Sequence, residues 1–224
     1  MKKHLFLLLL VAPVLFSSCA TSNFFYQGPN NIQSIAMVEP YAYLTDAVGN
    51  WSTNYLPSPS RFNHELVSEI VTSMMPVQEE VSVGHDFQEP NSKAGAWMRS
   101  LSRMSASEAR QQVIPNDIRE AVRKSGCPYG MVITDIGFVK NADQLTFERV
   151  LDVAASVLDY VMNSNIDVYS DTEAYRNGIY ALIFDSESGK VVWYGSRPLQ
   201  SNRNPLDYRT LTKQLNTLFK DFLR

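Results

Sequence analysis

The chain has 224 residues, of which 45% are hydrophobic and 11% aromatic; this is enough apolar surface to bury a core, and it excludes a disordered chain. Its 20 basic and 23 acidic residues give a formal net charge of −3. The chain as a whole therefore carries no electrostatic footprint for nucleic acid or for an anionic membrane surface.

The first residues have the pattern of a secretory signal. Lys2 and Lys3 give a positive start, the apolar segment 5–16 follows, and the serines at 17–18 are small residues before a cleavage site. A membrane-spanning helix needs about 20 apolar residues, so this segment is too short to span a bilayer. We expect residues 1–18 to be a signal peptide.

The residue after these serines is Cys19, and the segment 16–19 resembles the lipobox of bacterial lipoproteins, with Phe16 where that motif usually has leucine. The resemblance implies that Cys19 is acylated and becomes the mature N-terminus. The alternative is an ordinary secretory signal with an incidental cysteine. If Cys19 carries lipid, the only other cysteine, Cys127, has no partner for an intrachain disulfide bond.

Residues 19–32 are expected to form a lipidated tether. They are mostly polar, and Gly28-Pro29 is a breaker pair. The aromatic residues 24–26 interrupt this polar stretch. We expect them to dock on the domain; the alternative is that they lie among the lipid headgroups.

Hydrophobic periodicity predicts an alternation of strands and helices. Continuous apolar runs, as at 35–38 and 129–139, are typical of strands covered on both faces. Ser58-Pro59 has the features of a helix start, and Gly126 those of a helix end. The predicted elements up to this point are a strand at 35–38, a loop at 46–57, a helix from Ser58 to Pro76, a strand at 77–83, helices at 91–104 and 116–125, and a strand at 129–139.

The last part of the chain predicts a helix, a hairpin and a second helix. Apolar residues at helical spacing in 146–163 favour a helix that packs on the core, with a partner or membrane surface as the alternative. The β-rich runs 178–185 and 190–197 flank a short turn that ends in glycine, which is typical of a hairpin. Asn204-Pro205 are expected to cap and begin the final helix. Its predicted buried face consists of Leu211, Leu215, Leu218, Phe219 and Phe222.

These elements predict an α/β fold: a single mixed β-sheet with packed helices, in which a C-terminal β-hairpin is followed by a final helix. The strand at 130–139 is expected to be central, with the hairpin beside it. No internal repeat and no domain boundary are evident after residue 32. Residues 33–224 are therefore predicted to form a single α/β domain.

The order of elements is similar to that of a group of envelope lipoproteins. These are the curli-secretion lipoprotein, the penicillin-binding-protein activator lipoproteins and the amino-terminal domain of the Tol-system β-propeller protein. The segment 185–193 resembles their hairpin, and 125–130 resembles their helix-to-strand turn, whereas the helix at 146–163 departs from their pattern. The resemblance covers roughly residues 33–223 and implies a domain used for binding or assembly. It carries over no catalytic residue.

The residues that usually carry chemistry form no recognisable motif. His64 and His85 lack a zinc-site spacing such as H-E-x-x-H and are expected to be solvated surface residues. There is no G-x-S-x-G elbow, and the segment 188–190 lacks the upstream glycine of a P-loop. A catalytic triad that uses one histidine stays open, because its members need not be close in the chain. Cys127 is expected to be a buried small hydrophobe, with a reactive thiol as the alternative.

We therefore expect a binding or envelope-assembly module, not an enzyme, without a cofactor or metal. Its expected partners are the membrane, through the lipid on Cys19, and an unidentified envelope protein. The alternative is a lipid-anchored hydrolase with an unrecognised site.

The residues after Cys19 bear on its location. Residues 20–23 contain no acidic residue. In lipoproteins that resemble this chain, an aspartate there marks retention in the inner membrane. In the Bacteroides-like group, which the serine-rich lipobox of this chain resembles, an acidic cluster there marks export to the cell surface. We therefore expect an outer-membrane location facing the periplasm, with surface exposure as the alternative.

Overall fold

The computed structural model describes residues 24–29, 31–48, 52–84, 92–140, 175–220 and 222. Within them, eight strands form one mixed sheet with helices packed against it, and a C-terminal hairpin precedes the final helix, which confirms the predicted α/β fold. The strands are β1 (Phe24–Tyr26), β2 (Ile35–Val38), β3 (Tyr41–Val48), β4 (Ser52–Tyr55), β5 (Val77–Val81), β6 (Tyr129–Val139), β7 (Tyr175–Asp185) and β8 (Val191–Ser201). The helices are α1 (Pro57–Met74), α2 (Lys93–Ser100) with a 3-10 turn (Leu101–Arg103), α3 (Ala106–Arg110), α4 (Asn116–Lys124) and α5 (Tyr208–Phe219).

The sheet is built around β6, in the order β1-β8-β7-β6-β2-β5. β7 pairs antiparallel with β6 along its full length, and β8 pairs antiparallel with β7. On its other side β6 is shared, because β2 runs parallel to its first residues and β3 runs parallel to residues 134–138. Pro40 lies between β2 and β3; it has no N–H to donate to a sheet ladder. The central position of strand 130–139, with the hairpin beside it, is confirmed.

The sheet separates two hydrophobic cores, because successive side chains of a strand point to opposite faces. Met131 and Ile133 of β6 belong to the core that α1 and α5 cover. Val132 belongs to the other core, which α2, α3 and α4 cover. All three side chains are fully buried. This arrangement agrees with the continuous apolar run in the sequence.

Residues 24–26 dock on the domain, as predicted, and do so as a strand. β1 pairs antiparallel with β8. The ring of Phe24 lies 6.1 Å from that of Trp193, and the ring of Tyr26 lies 6.0 Å from that of Phe222. The segment 19–32, expected to be a tether, therefore contains part of the sheet.

The loop predicted at 46–57 is wrong. These residues complete β3, form β4 and begin α1. β3 and β4 pair antiparallel between Thr45↔Tyr55 and Val48↔Ser52. β2 ends at Val38, and Pro40 lies at the boundary before β3, where its missing N–H costs no ladder hydrogen bond.

Both predicted helix starts are displaced. The N-cap residue of α1 is Leu56, which has no side-chain cap, so Ser58 lies inside the helix. α5 begins at Tyr208, and the Asp207 carboxylate accepts a hydrogen bond from the first turn. Asn204 lies in the preceding turn. In both cases the proline was compatible with more than one position near the helix start.

The other predicted helices, and the segment left unassigned between two of them, differ in their outcome. The helices predicted at 91–104 and 116–125 correspond to α2 with its 3-10 turn and to α4. The unassigned segment between them contains α3, which begins with a capping box formed by Ser105 and Glu108. The helix predicted at 146–163 lies outside the described residues. None of the helices that the structure describes is long and apolar enough to cross a membrane.

Candidate functional site

The structure separates the residues that the sequence singled out. Cys19 and His85 lie outside the described residues. His64 is half-buried on α1, and its Nδ1 lies 2.8 Å from the carbonyl oxygen of Pro40, so it is not the solvated residue that we expected. Cys127 is buried, as predicted, and its Sγ accepts a hydrogen bond from Ser34 at 3.5 Å. No group of three or more His, Cys, Asp or Glu suited to a metal ion occurs among the residues that the structure describes.

A buried polar cluster occupies one end of the core beneath α1 and α5. Asp135 follows Met131 and Ile133 on the same face of β6, so the alternation of the strand directs its carboxylate into this core. We call Asp135 and its three neighbours, Asn63 of α1, Asn177 of β7 and Gln214 of α5, the amide cluster. Asp135, Asn63 and Asn177 are fully buried, and Gln214 is 5% exposed.

Hydrogen bonds connect these four side chains across the elements that carry them. Asp135 Oδ2 accepts from Asn63 Nδ2 at 3.1 Å and from Asn177 Nδ2 at 3.2 Å. Asn63 Nδ2 also donates to the carbonyl oxygen of Pro205 at 2.7 Å, and Asn177 Nδ2 donates to Gln214 Oε1 at 3.3 Å. The cluster thereby ties α1, α5, β6 and β7 together.

More acceptors than donors of the cluster are left unpaired. Among the described residues, the Oδ1 atoms of Asp135, Asn63 and Asn177 accept no hydrogen bond, and Gln214 Nε2 donates none. An unpaired buried polar atom costs about 1–3 kcal/mol. A proton on Asp135 would reduce that imbalance, because a protonated carboxyl is also a donor.

Burial raises the pKa of Asp135 from 3.8 to about 7, although the hydrogen bonds from Asn63 and Asn177 act in the opposite direction. A carboxyl group that titrates near neutral pH is suited to acid–base catalysis. Here, however, the group is fully buried and its neighbours are amides, so a substrate has no contact with it. The arrangement supports a structural role that links two helices to two strands.

A second feature is a row of tyrosine rings on the opposite face of the sheet. The rings of Tyr43 and Tyr55 stack at 5.0 Å, and those of Tyr41 and Tyr43 at 6.3 Å. The guanidinium carbon of Arg99 lies 4.8 Å from the centre of the Tyr43 ring, within cation–π range. Burial raises the pKa of Tyr41 above its usual range. This row packs against the second core where β3 meets α2.

A surface cavity that is open to solvent lies on the outer side of α5. It is a groove of about 580 Å³, lined by Tyr208, Arg209, Thr212, Lys213, Asn216, Thr217 and Lys220. These positions recur every three or four residues, opposite the buried face of the helix, which confirms the inward positions predicted for Leu211, Leu215, Leu218 and Phe219. Of the lining residues that the structure describes, three are basic and none is acidic. We call this surface the α5 groove.

Sequence patterns gave no indication of the α5 groove or of the amide cluster. The three cations of the groove are ordinary for an exposed helix face, and their spacing in the sequence does not mark a binding surface. For Asp135 one signal was present, because an acidic residue occupies an inward position of an otherwise apolar strand. Such a residue needs polar partners.

Comparison with known proteins gives a limited result. No protein-family model matches the chain, and no curated protein matches its sequence. Among solved structures it is similar to the PelC dodecamer from Paraburkholderia phytofirmans, with 11% identity and a TM-score of 0.39 over 89% of this chain and 94% of that chain. It is also similar to the LpoB C-terminal domain from Salmonella enterica, with 9% identity and a TM-score of 0.32 over 75% of this chain and 82% of that chain. Both likenesses are weak.

Proposed function

We propose that this chain is an outer-membrane lipoprotein, anchored through acylated Cys19 and facing the periplasm, whose domain is a non-catalytic binding or envelope-assembly module. The anchor and the location are supported by the N-terminal sequence. The binding role is supported by one observation above all, the α5 groove.

The charge of the α5 groove favours recognition of an anionic partner. The groove is open to solvent and its described lining comes from one helix, so it suits contact with a protein surface better than enclosure of a small molecule. Arg209 and Lys213 lie one helical turn apart, and Lys220 continues the same side of α5. Because no carboxylate is among the described residues that line the groove, these cations produce a local positive potential on a chain whose net charge is −3. The occupant that we infer is an acidic surface of an envelope protein.

Charge reversal tests this role. In the lipidated chain, a photo-crosslinker at Thr212 should give a discrete adduct with one envelope protein in intact cells. R209E/K213E should abolish the adduct. A matched control is K124E/K190E, which makes the same change of charge at exposed residues outside the groove. The purified partner should bind the wild-type chain with an affinity that falls as salt rises.

Two results would contradict the proposal. One is an adduct that survives R209E/K213E as well as it survives the control. The other is a purified partner whose affinity for the wild-type chain does not depend on salt.

A further inference from the structure

The position of β1 fixes how far the domain can lie from an anchor on Cys19. Four residues, 20–23, separate Cys19 from Phe24, the first residue of β1. Five steps of at most about 3.6 Å place the Cα atoms of Cys19 and Phe24 within roughly 18 Å of each other. If residues 19–32 were all free, as the sequence suggested, the reach would be more than twice as great.

The pairing of β1 shows which part of the domain lies next to Phe24, and therefore nearest to Cys19 along the chain. β1 pairs antiparallel with β8, with Phe24 opposite Gly195, so the N-terminal end of β1 lies beside the point where β8 continues to 196–201. β1 does not cover this second half of β8. We call Phe24, Arg197, Leu199 and Arg203 the β8 corner.

The β8 corner has the chemistry of a bilayer contact. Phe24 is 38% exposed and Leu199 is 51% exposed, so both apolar side chains are accessible to a bilayer. The segment 190–206 contains Arg197 and Arg203 and no acidic residue. A basic residue near an anionic leaflet contributes about 1 kcal/mol, so the corner can orient an anchored domain although it is too weak to hold a free one.

We propose that the β8 corner lies against the bilayer that holds the acyl chains of Cys19, with anionic phospholipid headgroups as its partner. This orientation rests on the lipid anchor of the proposed function. It places the edge strand β5, at the far side of the sheet, away from the membrane. Five strand spacings of about 4.8 Å separate β1 from β5, or roughly 24 Å.

Headgroup quenching of a fluorophore tests the orientation. The lipidated chain carries Cys127→Ala and a single introduced thiol, Leu199→Cys at the corner or the matched control Glu79→Cys on β5. The labelled proteins are reconstituted into vesicles of phosphatidylethanolamine and phosphatidylglycerol that contain a headgroup-nitroxide lipid. We expect quenching at residue 199 to exceed that at residue 79 by about twofold or more, since the labels differ in depth by roughly the sheet width. Equal quenching, or more at residue 79, would overturn the orientation.

Two further measurements separate the possible failures. Intact mass and vesicle flotation come first: a chain without acyl groups that does not float refutes the anchor, whereas a floating chain with equal quenching refutes only the orientation. R197E/R203E should reduce quenching at residue 199 by about half, and Lys190→Glu, at the other end of β8, should not. An unchanged signal in R197E/R203E would overturn the assignment of these arginines to lipid headgroups.

Discussion

Replacing Asp135 with asparagine removes the titratable group of the amide cluster and keeps its shape. Burial raises the pKa of Asp135 from 3.8 to about 7. The folded chain therefore binds this proton more tightly than the unfolded chain between about pH 4 and pH 7. The contribution of Asp135 to the free energy of unfolding is greatest below about pH 4 and is lost as the pH rises to about 7. An asparagine at this position has no such dependence.

The expected size of the effect follows from the difference between the two pKa values. Each pKa unit corresponds to about 1.4 kcal/mol, so a shift of about three units corresponds to on the order of 4 kcal/mol across the window. At low pH the neutral carboxyl and the amide should differ by about 1 kcal/mol, because either one accepts from Asn63 and Asn177 and has a donor to spare. Above pH 7, Asp135→Asn should be the more stable protein by a few kcal/mol.

Urea unfolding followed by circular dichroism, from about pH 4 to about pH 8.5, measures this difference. Glu120→Gln is the matched control, because it removes an exposed carboxylate on α4 and should leave the pH dependence of the wild type unchanged. If the stabilities of the wild type and Asp135→Asn differ by the same amount at every pH, within about 0.5 kcal/mol, Asp135 does not titrate in this range and the reasoning fails.

Three other experiments test the core, the anchor and the location of the protein. Val132→Asp places an unpaired charge in the core, so we expect no soluble, cooperatively melting protein. The control Val113→Asp changes an 83% exposed residue and should fold. A soluble, cooperatively melting Val132→Asp chain would contradict the central place of β6. Cys19→Ala should leave the chain uncleaved or soluble and without acyl groups, and a wild-type intact mass without acyl groups would refute the anchor. Proteinase K should spare the protein on intact cells and degrade it once the outer membrane is opened; digestion on intact cells would favour surface exposure.

Apolar patterns were sufficient to predict the strands and helices that form the two cores. β6 and the hairpin strands are continuous apolar runs because both faces of the central sheet are covered. β3 and β4 escaped prediction because polar and aromatic residues such as Tyr43, Thr45 and Asn54 interrupt their apolar residues, although β3 pairs with the central strand β6. β1 was recognised only as an aromatic interruption, since a strand of three residues is too short to show a period.

The amide cluster could not be predicted because its residues are far apart in the sequence and meet only in the folded chain. Asn63 lies 72 positions from Asp135 along the chain, and Asn177 lies 42 positions from it. Each amide alone is ordinary in the sequence. Only the packing of α1 and α5 on the same face of β6 and β7 brings them to one carboxylate. The α5 groove differs in this respect, because its described lining comes from one helix. Helical spacing places those residues on the outer side of α5 but does not mark them as a binding surface.

Removing β1 should weaken the fold although the strand has three residues. The rings of Phe24 and Tyr26 contact Trp193 and Phe222, and fully burying a large apolar side chain contributes about 1.5–3 kcal/mol. Since both rings are partly exposed, a chain that begins at residue 27 should lose about 2–4 kcal/mol of unfolding free energy relative to a control that begins at residue 23. It should also associate, because the uncovered edge of β8 can pair with another chain. Urea unfolding and light scattering measure both effects. If the two chains are equally stable and equally monomeric, β1 is not part of the folded domain, and the short distance between Cys19 and the β8 corner loses its basis.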